Sequence, residues 1–238
     1  MYSVFKNKPI NATYTYQTIF DDKWDIACML IENKSELIVV FRGTETATNW
    51  VADAWFAKAD VPGGKVHSGF QESYEGIQDE LKEKLVAFKG NKTQYTFVGH
   101  SLGGALSTLA AYFMSSEIPD KKYMVVNYGS PKVGDQNFVN TYNSKNIVTY
   151  RIVNEKDPIP STPLESQGFR EIYPEYWLRN GKLIECPGDC RRSITMDAGD
   201  HSITSYLANL KAYNLMPSGA KSVRYYLSTI VLVICMYI

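Results

Sequence analysis

The stretch Tyr95-Thr-Phe-Val-Gly-His-Ser-Leu-Gly-Gly-Ala105 restricts this chain more than any other. Tyr95–Val98 is a short apolar run of β-formers and predicts a buried strand. Gly103, Gly104 and Ala105 lie in an apolar helical run from Leu102 to Phe113. Between strand and helix, Gly99-His-Ser-Leu-Gly103 has the G-x-S-x-G spacing of a sharp elbow that projects a serine hydroxyl. The glycines have a steric reason, since side chains two residues either side of the serine would collide with neighbouring backbone. The Ser101 hydroxyl is therefore expected in solvent near a helix N-terminus, where backbone N–H groups can hold an oxyanion. The spacing alone arises by chance. Between a strand and a small-residue helix it points to a nucleophile, the alternative being an ordinary glycine-rich turn.

Length and charge narrow the rest. A chain of 238 residues that is 45% apolar and 21% charged suits one domain with a substantial core. That domain is expected over 1–216, with an apolar tail over 217–238. The formal net charge is zero, which argues against a nucleic-acid partner held by phosphate attraction. His67, His100 and His201 have no metal-ligand spacing, no H-E-x-x-H occurs and there is no P-loop, so neither metal nor nucleotide is expected. Residues 1–8 lack the apolar core of a signal peptide. Sequons at Asn11, Asn33 and Asn91 lean weakly toward a secretory route. Cys186-Pro-Gly-Asp-Cys190 carries turn chemistry that can bring two sulfurs together, which implies an oxidising compartment; two reduced thiols on a loop are the equal alternative. Cys28, in a predicted strand, and Cys235, in the tail, are expected free. The run Tyr225–Ile238 is apolar but shorter than the ~20 residues a spanning helix needs. Membrane contact, cover for the sheet and an untidy end all stay open for it.

In chain order, residues 1–24 show no period. Asp25–Ile31 and Glu36–Phe41 predict an antiparallel hairpin. The second strand runs into Arg42-Gly-Thr44, where Thr44 can present an N–H and a hydroxyl opposite the elbow, or merely cap a helix. In Asn49–Phe56, Trp50, Val51, Ala54 and Trp55 share one helical face, so this short apolar helix reads as a lid or as a permanently docked surface helix. Asp60-Val-Pro-Gly-Gly64 follows as a hinge or loop. Phe70, Tyr74, Ile77, Leu81, Leu85 and Phe88 define one long amphipathic helix stopped by Gly90. Tyr123–Tyr128 and Ile147–Val153 predict buried strands separated by a short helix over Asp135–Tyr142. Phe169–Tyr173 and Lys182–Cys186 predict a closing hairpin. Strands alternating with helices indicate an α/β sheet with antiparallel margins.

A serine nucleophile needs a base and a group that orients it. His100 adjoins Ser101, and its side chain is expected to point away across the elbow. His201 stands at the mouth of the last helix. Asp157 follows a buried strand and is stiffened by Pro158 and Pro160. The order Ser101, Asp157, His201 is that of the α/β-hydrolases. Asp200 is the rival orienter, but sits too close in sequence to reach the Nδ1 of His201.

Several motifs in correct order add a resemblance. Phe41-Arg-Gly-Thr44, Asn49-Trp-Val-Ala-Asp53, Val66-His-Ser-Gly-Phe70, Gly99-His-Ser-Leu-Gly-Gly104, Tyr128-Gly-Ser-Pro-Lys-Val-Gly134, Arg151-Ile-Val-Asn-Glu-Lys-Asp157 and Asp200-His201 resemble the class 3 lipases, the fungal triacylglycerol lipase family. The resemblance covers roughly residues 25–213. It implies an α/β-hydrolase fold, with a central, mostly parallel sheet, antiparallel margins and helices on both faces. It implies a cofactor-free and metal-free carboxylic ester hydrolase with Ser101 as nucleophile, Asp157 as orienter and His201 as general base. Thr44 and Leu102 would form the oxyanion hole, and the segment around Asn49–Phe56 the lid. The expected partners are a lipid or other ester substrate and a lipid–water interface, approached as a monomer. A non-lipid, feruloyl-esterase-like enzyme and an inactive hydrolase-like membrane-associated protein are the competing readings. Family members usually carry a longer N-terminal segment, so the domain is expected to be shortened there.

Overall fold

Apolar runs rich in Val, Ile and aromatic residues fit strands buried on both faces, and the sheet is built from them. A computed structural model of the chain describes residues 15–32, 36–43, 57–88, 92–188, 190 and 195–215. Strands β1 (Thr15–Asp21), β2 (Ile26–Glu32), β3 (Glu36–Phe41), β6 (Gln94–His100), β7 (Lys122–Tyr128), β8 (Val148–Asn154), β9 (Glu175–Arg179) and β10 (Lys182–Cys186) lie in that order in one sheet. The pairs from β3 through β9 are parallel, and β1–β2, β2–β3 and β9–β10 are antiparallel. A small hairpin, β4 (Lys58–Val61) with β5 (Gly64–His67), stands apart from it.

Side chains alternate between two cores. Leu37, Val39 and Phe41 of β3, with Tyr95 and Phe97 of β6, face one core, while Ile38, Val40 and Val98 face the other. Helices α1 (Ser68–Ala87), α2 (Leu102–Glu117) and α3 (Gln136–Ser144) pack on the first face. Helix α4 (Ile203–Leu215) lays Tyr206, Leu210 and Tyr213 on the second. The α1 contacts are the expected Phe70, Tyr74, Ile77, Leu81 and Leu85, all buried. Phe88 is its C-cap rather than its last turn. Helix α3 begins where Asp135 accepts the Phe138 N–H at 2.9 Å, an N-cap.

Three expectations need correction. Thr15–Asp21 is a strand, because β2 offers it an antiparallel edge; its own residues show no clear period. Of Asp60–Gly64, expected as a hinge or loop, Asp60 and Val61 end β4 and Gly64 opens β5, so only Pro62-Gly63 is a turn, that of the hairpin, and none of it is a hinge. Phe169–Tyr173 is not a strand, since only Arg170 makes an isolated bridge, to Gly134. Pro174, which lacks an N–H, follows it, and the partner of β10 is Glu175–Arg179 instead. The hairpin is closed by Asn180 and Gly181, both at positive φ (49° and 67°), the arrangement that two-residue hairpin loops favour. The predicted domain end at 216, the stop at Gly90 and the tail 217–238 lie outside the described residues, as do Asn11, Asn33, Asn91 and Cys235.

Candidate active site

Parallel strands end together at one edge of the sheet, so the loops that follow them are neighbours. Ser101 lies between β6 and α2 with φ 57° and ψ −125°. A non-glycine residue there is strained, at a cost of about 1–3 kcal/mol that the surroundings must hold in place. They do so by close packing. A Cβ on Gly99 would stand 2.0 Å from the Gly103 carbonyl oxygen, and one on Gly103 would stand 2.4 Å from that of Phe41. The Ser101 N–H donates to Tyr128 O at 2.9 Å, carrying the β6–β7 ladder into the elbow.

Asp157 follows β8, and its N–H donates to Asn154 O at 2.9 Å. His201 closes the 3₁₀ turn Ala198–His201 that leads into α4. His201 Nδ1 lies 2.9 Å from Asp157 Oδ2 and 3.0 Å from Oδ1, and Nε2 lies 2.9 Å from Ser101 Oγ. A carboxylate only accepts, so Nδ1 carries the proton and the Nε2 lone pair faces the serine hydroxyl. Asp157 is fully buried, and its oxygens also accept the Ile159 N–H at 2.9 Å and the Tyr206 hydroxyl at 2.6 Å. The three predicted residues thus meet as one hydrogen-bonded chain.

The turn that carries His201 is anchored from behind. Lys156 N–H donates to Asp200 Oδ2 at 3.1 Å, and Asn154 Nδ2 donates to Asp200 O at 3.0 Å. Asp200 therefore bonds the loop of Asp157 and does not orient the imidazole. His100 does not point away, contrary to expectation. Its ring lies 4.7 Å from that of His201, centroid to centroid, and its Nε2–H donates to the His201 carbonyl at 2.8 Å. Burial first, and the neighbouring His201 second, lower the His100 pKa to about 4. His100 is thereby neutral near pH 7. His67 is likewise lowered to about 4 by burial, against Phe70.

Leu102 opens α2, where the first N–H groups have no preceding helical carbonyl to bond. A Cβ on Gly43, at the end of β3, would lie 3.8 Å from Ser101 Cβ, so that strand end arrives beside the elbow. Thr44 itself and the lid residues Trp50, Val51, Ala54 and Trp55 fall outside the described residues. Cys186 and Cys190 form a disulfide with their Cα atoms 5.9 Å apart. Cys28 is buried and unbonded to sulfur, and burial pushes its thiol pKa up. Among the described residues no group of three or more His, Cys, Asp or Glu side chains is placed to hold a metal ion.

Two contributors escaped the sequence reading. Tyr206 donates to Asp157 while accepting the Asn154 N–H at 3.1 Å, and its only signal was its place one turn beyond His201. Gly129, at φ 58°, leaves room for the acid–base pair, and the Gly-Ser-Pro turn after β7 marked the turn but not that role.

A parallel-centred sheet with a strained serine at the strand–helix turn, joined through histidine to a buried aspartate, defines an α/β-hydrolase with a serine triad. Comparison with known proteins narrows the class. The model of the lipase (class 3) family matches residues 38–167. A secreted mono- and diacylglycerol lipase of Fusarium solani is 35% identical over 156 residues, covering 63% of this chain and 46% of that protein. A lipase of Rhizomucor miehei is 36% identical over 165 residues, covering 65% and 46%. A solved triacylglycerol lipase, described as having a serine-protease triad at its catalytic centre, superposes with a TM-score of 0.73 at 30% identity, covering 79% of each chain. The chain belongs to the class 3 lipase family. It spans about half the length of the curated relatives it matches.

Proposed function

We propose that this protein hydrolyses carboxylic esters of lipids through an acyl-enzyme on Ser101. The observation that carries the reading is the 2.9 Å contact from Ser101 Oγ to His201 Nε2, with Asp157 2.9 Å from the opposite ring nitrogen. As Oγ attacks the ester carbonyl carbon, its proton passes to Nε2 and the carbonyl electrons collect on oxygen. The Asp157 carboxylate faces the imidazolium that results. The Leu102 N–H, with Thr44, the residue after Gly43 in sequence, donates to the oxyanion. His201 then returns the proton to the departing alkoxide, leaving an acyl ester on Ser101. A water deprotonated by the same nitrogen cleaves it and restores the serine. The relatives are named for mono-, di- and triacylglycerol substrates, which supports a glycerolipid ester here.

The lipid assignment also rests on the segment carrying Trp50, Val51, Ala54 and Trp55, proposed as a lid whose apolar face covers Ser101 in water and enters the lipid surface when open. A lipid phase then shifts the balance toward the open state. The test follows p-nitrophenyl esters of rising chain length across the concentration at which they form a separate phase, with Ser101→Ala as control. Activity that rises with the separate phase, and falls there in a Trp50→Ser/Trp55→Ser variant that keeps its short-ester activity, is expected. Equal turnover on dissolved and aggregated ester in wild type would replace the lipase reading with a soluble esterase. Wild-type rates of fluorophosphonate labelling in Ser101→Ala would move the nucleophile elsewhere.

A further inference from the structure

Four charged side chains that the chemistry above does not use are buried together beside the triad. Arg151 on β8 pairs with Glu175 on β9, and the two are 3% and 0% exposed. Lys132, in the loop after β7, lies 3.5 Å from Glu171, which also stands 3.9 Å from Arg151 and accepts the Tyr173 hydroxyl. Burying two cations and two anions carries a desolvation cost that their pairing must offset, and equivalent apolar packing is often as stable or more so. Stability alone is therefore a weak reason for such a cluster.

Three further hydrogen bonds of the cluster point to one loop. Arg151 Nη2 donates to Pro160 O at 2.7 Å, Lys132 Nζ donates to Ser161 O at 2.6 Å, and the Lys132 N–H donates to Thr162 O at 2.7 Å. Three successive carbonyls of the loop that begins at Asp157 are thus held by two residues. That loop carries Pro158, Pro160 and Pro163, which have no N–H with which to tie it down. Ile159 N–H bonds back to the acid at Asp157 Oδ1. The carboxylates keep the cations charged and aimed, Glu175 on Arg151 and Glu171 on Lys132. Burial lowers the pKa of Lys132, and Glu171 opposes that fall.

We infer that Lys132 and Arg151, oriented by Glu171 and Glu175, are positioning residues that fix the Asp157 loop and through it the carboxylate against His201. The inference rests on reading Asp157 and His201 as the catalytic pair. Its test is the double variant Lys132→Met/Glu171→Leu. This variant removes one cation and one anion together, so no unpaired charge is left in the core and the Arg151–Glu175 pair is retained. The Ser161 carbonyl loses its donor.

Turnover per fluorophosphonate-titrated site on a soluble short-chain ester is expected to fall about tenfold, with KM little changed, given that a 1 Å misplacement can cost ~10²-fold. Lys132→Arg, which keeps a cationic donor, should recover most of it. A second readout needs no turnover. The His201 Nδ1–H proton resonance, far downfield while the carboxylate holds it, should broaden or move upfield in the double variant and return in Lys132→Arg. A folded double variant with wild-type turnover and an unmoved resonance would overturn the inference and leave the cluster a packing feature. If wild type neither turns over ester nor takes the fluorophosphonate, the hydrolase reading fails, while the resonance still decides whether the cluster positions Asp157. If the double variant does not fold, the resonance in Lys132→Gln and Lys132→Arg decides it.

Discussion

Gly129→Ala asks how tightly the acid–base pair is boxed. The residue sits at φ 58°, and a Cβ placed on it would stand 2.8 Å from Asp157 Oδ2 and 3.0 Å from both His201 Nδ1 and the Tyr206 hydroxyl. Ordinary contact begins near 3.4 Å, so these atoms would have to retreat by 0.4–0.6 Å. Left-handed backbone in a non-glycine residue adds about 1–2 kcal/mol. For a chain of this size each kcal/mol lowers Tm by roughly 2–4 °C, so a fall of about 2–8 °C is expected with the fold retained. The activity loss should be larger than that shift suggests. A displacement near half an ångström between Asp157 and His201 should reduce kcat on the order of tenfold, scaled from the ~10²-fold cost of 1 Å. Turnover per fluorophosphonate-titrated site and a thermal scan measure the two effects. Gly188→Ala is the control, because its Cβ would meet nothing within 4 Å. Wild-type kcat in Gly129→Ala would refute the view that this backbone bounds the triad.

Tyr206→Phe removes the donor to Asp157 Oδ2 and the acceptor of the Asn154 N–H, so urea titration should show a loss of about 1–3 kcal/mol together with reduced kcat. Unchanged values for both would mean that neither bond matters in solution. His67 and His100 bind a proton only near pH 4 when folded, but near pH 6.5 when unfolded. Between those values the unfolded state holds more protons, so their stabilising contribution is full above pH 6.5 and is lost as pH falls toward 4. By pH 5 the loss is on the order of 2 kcal/mol for each, and His67→Phe should remove its share of the slope between pH 7 and pH 5. A pH-independent unfolding free energy over that range would contradict the burial of both rings. Thr44→Val keeps the N–H proposed for the oxyanion but not the hydroxyl, and should lower kcat ~10²–10³-fold; an unchanged kcat would leave Thr44 a capping role at most.

What the sequence determined by itself is what depends on near neighbours along the chain. The elbow was legible because a strand, a sharp turn and a helix within eleven residues leave room only for glycine at 99 and 103, and both collisions are present in the structure. The stripe from Phe70 to Leu85 was legible because helical spacing alone puts those residues on one face. The order of Ser101, Asp157 and His201 suggested the triad without placing it. Their meeting was decided by the tertiary structure, since the contacts join residues 100 and 44 positions apart through the common edge of a parallel sheet. The same edge turned His100 onto His201, set Tyr206 against Asp157 and brought Lys132 to the proline loop. Strand β1 and the pairing of β9 with β10 were likewise settled by which edge was open and where Pro174 withholds an N–H. Local sterics are written residue by residue, whereas partners across the sheet exist only once the register is formed.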